Sequence, residues 1–98
     1  MTIINGITTI DPDNTAYNAS ITNANQKSSA IITGSGMIRI STQGNHCHVA
    51  FGADPTASSS TSFFIPTNTV EFFTFTSGWK VGFISSTNAG TISIVAVD

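Results

Sequence analysis

The chain contains no leucine, whereas 42 of its 98 residues are Ile, Val, Thr, Phe, Tyr or Trp. Side chains branched at Cβ or built on a ring are restricted at χ1 and pack well on a pleated surface. The strong helix formers other than Ala (Met, Glu, Gln, Lys and Arg) number only eight. This imbalance predicts an all-β chain and excludes a helical bundle, a coiled coil and an α/β nucleotide-binding fold. Ninety-eight residues make one domain, so residues 1–98 are read as a single β-sandwich, jelly-roll-like, of about eight strands. Ile, Val and Phe together supply 25 residues, enough to lift the sequence out of the composition of a disordered chain.

Charge narrows the function classes. The cations are Lys27, Arg39 and Lys80; the anions are Asp11, Asp13, Asp54, Glu71 and Asp98; the net charge is −2. Three dispersed cations neutralise few phosphates, which argues against a nucleic-acid partner. No apolar run approaches the ~20 residues that cross a bilayer, so no membrane partner is expected. Met1 to Gly6 shows neither a basic region nor a long apolar one, and no secretory signal is read there. The single Cys47 forms no internal disulfide and suits a reducing place of synthesis. Solubility rests on Thr, Ser and Asn, 36 residues in all, whose short neutral donors and acceptors cost less to desolvate than ions. Such a surface suits a protein docked on a large surface or in a homo-oligomer; a charge-poor monomer is the alternative.

Along the chain, residues 1–35 read as an extended segment contributing two or three strands. Ile3, Ile4, Ile7 and Ile10 precede the break Asp11-Pro12-Asp13-Asn14, and residues 1–10 are read as an N-terminal docking arm. Tyr17 to Thr22 and Ala30 to Thr33 are short strand candidates, divided by the polar stretch from Asn23 to Gln26. From Met37 the period is two: Ile38 and Ile40 fall on one face, Met37, Arg39 and Ser41 on the other. Gln43-Gly44-Asn45-His46 then predicts a tight hairpin with glycine first in its two-residue loop. Its register would oppose Thr42 to Cys47, Ile40 to Val49 and Ile38 to Phe51, leaving His46 and His48 outward beside Gln43 and Ser41. Further strands are read at Ser62–Ile65, Val70–Phe75, Lys80–Ser85 and Thr91–Val97, spaced as in a sandwich or jelly roll.

Few residues suggest bond-making chemistry. His46 and His48 are the one metal-competent cluster, on one strand face about 6–7 Å apart, with Cys47 turned away. A third ligand would have to come from Asp54 or from another copy. No Gly-x-Ser-x-Gly elbow, carboxylate pair or phosphate loop is present, so neither an enzyme nor a cofactor is expected. The adjacent aromatics Phe63-Phe64 and Phe72-Phe73 point to opposite faces of their strands. One of each pair belongs in the core, and the other, with Phe63 and Phe72 as the candidates, lies under a loop or against another chain. Trp79, after Gly78, either seals the end of the sandwich or offers a stacking platform for a sugar.

The stretch from Met37 onward resembles a small protein encoded among the structural genes of tailed bacteriophages. The matching segments are Ile38-Arg39-Ile40, Cys47-His48-Val49-Ala50-Phe51-Gly52, Asp54-Pro55-Thr56-Ala57 and Phe64-Ile65-Pro66. Val70-Glu71-Phe72-Phe73, Gly78-Trp79-Lys80-Val81-Gly82-Phe83-Ile84 and Gly90-Thr91-Ile92-Ser93-Ile94 complete them. The resemblance covers about two-thirds of the chain and implies a capsid decoration (cement) protein. Its implied partners are the major capsid protein and further copies of itself as a homotrimer. It would be made in the bacterial cytoplasm and carried on the outer surface of the virion. Head–tail or fibre-associated roles are the neighbouring expectations. A carbohydrate-binding module using Trp79 or Tyr17 is the alternative. No catalytic residue follows from the resemblance.

Overall fold

The computed structural model of the chain describes residues 2–4, 7–9 and 16–97. Ten strands are assigned there and no helix. They are β1 (Thr2–Ile4), β2 (Ile7–Thr9), β3 (Tyr17–Ser20), β4 (Gln26–Lys27), β5 (Met37–Gln43), β6 (Cys47–Gly52), β7 (Phe63–Ile65), β8 (Val70–Thr74), β9 (Lys80–Ile84) and β10 (Thr91–Ala96). β1 and β2 pair with each other. The other eight form two antiparallel four-stranded sheets, ordered β3-β10-β5-β8 and β4-β9-β6-β7. The chain is an all-β sandwich. Every link between consecutive strands from β3 to β10 passes from one sheet to the other, except β6 to β7.

The core follows from alternation. Ile38 and Ile40 of β5, with Ile92 and Ile94 of β10, face inward from one sheet; Cys47 and Val49 of β6, Ile65 of β7 and Val81 and Phe83 of β9 face them from the other. All are buried, and burying a branched aliphatic side chain stabilises a fold by about 1.5–3 kcal/mol. Tyr17, at the β3 edge, closes one side of the core against Phe83, ring centroids 6.3 Å apart. Thr42 also points inward, and its hydroxyl is satisfied: it donates to Pro66 O at 2.7 Å and accepts from Thr69 N at 3.2 Å.

The structure corrects the expected hairpin. β5 and β6 do not pair; they lie in different sheets. β5 already has both edges occupied, by β10 and β8, so no edge remains for β6. The intervening turn crosses the sandwich instead. Gly44 has a positive φ of 77°. The buried Asn45 pins the crossing: its Nδ2 donates to Thr87 O and Ala89 O, each at 3.1 Å, and its Oδ1 accepts from the Thr87 hydroxyl. The N-terminal third also differs. Ala30 to Thr33 is not a strand, whereas Gln26–Lys27, at the end of the polar divider, pairs with Phe83 and Gly82. The segment 1–10, read as a docking arm, contains the β1–β2 pairing, Ile3 opposite Thr8 and Ile4 opposite Ile7.

Candidate functional site

Four of the six exposed large apolar side chains among the described residues lie on two edge strands at one rim of the sandwich; the other two are Ile32 and Trp79. β7 and β8 are edge strands of opposite sheets, joined by Pro66–Thr69. Phe63 and Phe64 on β7 are 54% and 49% exposed, and Val70 and Phe72 on β8 are 47% and 48% exposed. Contrary to the expectation that one ring of Phe63-Phe64 sinks into the core, neither is buried. Phe63 lies opposite Val49 and has the inward parity, but its strand is three residues long and at the edge, so no further strand covers it. The Phe72-Phe73 pair divides as alternation requires: Phe73 packs on the core and Phe72 faces out beside Arg39. Behind the rim the rings form a continuous edge-to-face series. Phe63 meets Phe73 at 5.2 Å, Phe73 meets Phe51 at 5.1 Å, Phe51 meets Phe75 at 5.5 Å, and Phe75 meets Trp79 at 6.3 Å. Aromatic contacts of this geometry are worth about 0.5–1.5 kcal/mol each beyond area burial, which makes the rim stiff.

Of the six expected interface residues, the structure therefore exposes Phe63 and Phe72. The side chains of Ile3, Ile4 and Ile7, and the whole of Ile10, lie outside the described residues. Val70 and Phe64 join the rim without having been expected there. The signal for Val70 is present in the outward set Val70, Phe72, Thr74 of an alternating strand.

His46 and His48 do share a face, ring centroids 6.2 Å apart, but their surroundings differ from expectation. Ser41 and Gln43 belong to the other sheet. The rings pack against Phe64, at 5.6 and 5.1 Å, and the hydroxyls of Ser85 and Ser86 lie 3.2 and 3.3 Å from His46 Nε2. His48 Nδ1 is buried with no hydrogen-bond partner. The two rings stand at 88° to each other. Among the described residues no three His, Cys, Asp or Glu side chains gather into a cation-sized cluster, and Asp54 is engaged by Lys27.

Electrostatics are sparse. The Lys27 ammonium, hydrogen-bonded to the exposed Asp54 carboxylate, holds that carboxyl below its ordinary value. With the Asn25 side-chain oxygen, which accepts from Ala57 N at 2.8 Å, this pair ties the loop after β6 to β4 and the turn before it. Burial raises the Cys47 thiol to about 11, the disfavoured thiolate outweighing one backbone hydrogen bond. Tyr17 is half-buried in the core, with its hydroxyl donating to Lys27 O at 3.5 Å, and is no exposed platform. Trp79 is 38% exposed and covers Phe75, while its carbonyl accepts from Ile31 N at 2.9 Å.

No known protein family, curated protein or solved structure matches this chain.

Proposed function

We propose that the chain is a structural adhesion protein of a tailed-phage virion: a decoration protein that binds the assembled shell from outside and carries out no bond-making chemistry. The observation that carries this reading is the set of four half-exposed apolar side chains on the edge strands β7 and β8, which with Ile32 and Trp79 are the large apolar residues exposed on a charge-poor surface rich in hydroxyl and amide groups. Exposed apolar side chains gathered on unpaired strand edges suit contact with another protein surface. The motifs from Ile38 to Ile94, which resemble a small protein of tailed-phage structural gene blocks, support taking the major capsid protein as the partner. The strand order, with almost every link crossing between sheets, supports reading the sandwich as a jelly roll.

The physical logic is mass action. A protein that binds the assembled lattice, and not its loose or burst state, stabilises that lattice by its binding free energy at every copy. The proposed arm is residues 1–10, with Ile3, Ile4, Ile7 and Ile10 reaching onto a neighbour. Deleting residues 1–10 is expected to leave a folded sandwich that no longer sediments with intact shells; undiminished binding by the shortened protein would refute the arm. A glycan array tests the alternative of a carbohydrate-binding module, and specific hits there would overturn the decoration reading.

A further inference from the structure

We infer that β8 is a self-association edge, through which two copies of the chain join their four-stranded sheets about a two-fold axis centred on Phe72. This contact covers Phe63, Val70 and Phe72, three of the four apolar side chains on which the shell-binding reading rests, and it is tested in solution without any shell. Four strands of the sandwich lie at sheet edges: β3, β4, β7 and β8. Natural edges are blunted by short length, lysine or proline. β4 has two residues, one of them Lys27; β7 has three and runs into Pro66; β3 presents Asn18 and Ser20 outward. β8 is the longest of the four at five residues and contains no proline, glycine or lysine; its one blunting feature is Glu71, at inward parity opposite Ile40.

Its hydrogen-bond parity is set by its ends. Thr42 N donates to Thr69 O at 3.0 Å and Phe75 N donates to Gly36 O at 2.7 Å. In an antiparallel ladder residues alternate between facing the partner strand and facing away. Glu71 and Phe73 therefore bond toward β5, and Val70, Phe72 and Thr74 turn their N–H and C=O groups to the open edge. A second β8, antiparallel and centred on Phe72, places Phe72 against Phe72 and Val70 against Thr74, and forms about six main-chain hydrogen bonds. Glu71 then faces Phe73 of the other copy, so the like charges are not directly opposite. With a net charge of −2 over the whole chain, long-range repulsion is weak.

The half-exposed Phe63, Phe72 and Val70 contribute roughly 100 Å² or less each. Two copies thus cover about 500 Å² of apolar side chain besides the strand edges. A standard stable interface covers about 1,200–2,000 Å², so the pairing is reversible and concentration-dependent. Two-fold closure differs from the trimer that the family resemblance implies, and solution mass separates them.

The test is sedimentation velocity of the full chain over a concentration series, beside Phe72→Lys and Phe64→Lys. Both substitutions place the same charge on a half-exposed ring, but Phe64 lies on the outer face of the other sheet. The expected result is a wild-type mass rising from 10.2 kDa toward about 20 kDa. Phe72→Lys should weaken association about tenfold or more, and Phe64→Lys should match the wild type. Amide exchange of the wild type is the second readout, since it needs no variant to fold: Val70, Phe72 and Thr74 should become protected only at high concentration. A monomer up to about 1 mM, a mass of three chains, equal loss in both variants, or unchanged association of Phe72→Lys would each overturn the inference.

Discussion

Replacing Gly90 by alanine probes the corner on which the sandwich depends. Gly90 has a φ of 69°, a left-handed conformation that costs an L side chain about 1–2 kcal/mol. A methyl there would also meet main chain: Gln43 O, closer than real Cβ atoms come to any neighbour, then Gly44 C at 2.8 Å and Asn45 N at 2.9 Å. No flexible side chain can yield, so the strand entry must move. That motion strains two hydrogen bonds, Ile21 N to Gly90 O and Asn45 Nδ2 to Ala89 O, each 3.1 Å and worth about 1 kcal/mol. The expected loss is about 3–4 kcal/mol, a large share of the ~5–15 kcal/mol typical of a domain this size. Gly78 supplies the control. Its φ is 91°, but a methyl there meets nothing within 4 Å, so Gly78→Ala should show the conformational cost alone, about 1–2 kcal/mol. In urea, at a slope near 1.3 kcal/mol per molar, Gly90→Ala should lower the midpoint by about 2–3 M and Gly78→Ala by about 1 M. Equal midpoints for the two variants would refute the close packing of the β5–β6 crossing against Gly90.

Two further predictions concern titration. Cys47 has its thiol raised from 9.0 to about 11 by burial, so the fold favours the neutral form. Its contribution to stability is complete below about pH 9 and lost as pH rises toward 11; a thiol-reactive dye at pH ~8 should label it slowly in the native protein and rapidly in urea, and equal rates would contradict the burial. Asp54 is lowered from 3.8, first by its hydrogen bond from Lys27 and then by that cation's charge. Its contribution is present above the ordinary carboxyl value and lost as pH falls through the lowered one. The NMR titration of Asp54 should move up in Lys27→Ala, while its exposure keeps the effect on stability small; an unmoved midpoint would show that the ion pair does not persist.

What can be read from the chain is the inside and outside of each strand. Ile38, Ile40, Thr42, Cys47 and Val49 alternate onto the inward face and are buried. The same alternation cannot say whether Ile40 and Val49 lie side by side in one sheet or face each other across two, because both arrangements bury the same side chains. That choice is made by which strands occupy the edges of β5, a matter of long-range pairing with β8 and β10. The misplaced neighbours of His46 and His48 follow from the same ambiguity. Phe63 shows a different limit: its parity is inward, but a short edge strand offers no cover, and cover is not encoded locally. Gln26–Lys27 pairs through its backbone with β9, and two polar residues carry no periodic signal.

The proposed adhesion of the sandwich to an assembled shell is tested most directly by cryo-electron microscopy of purified virions of the tailed phage proposed to carry the chain. The expected result is a two-layer β density seated on the outer surface of the capsid, in contact with the major capsid protein. Virions that lack the polypeptide, while infected cells contain it in folded form, would contradict the adhesion role.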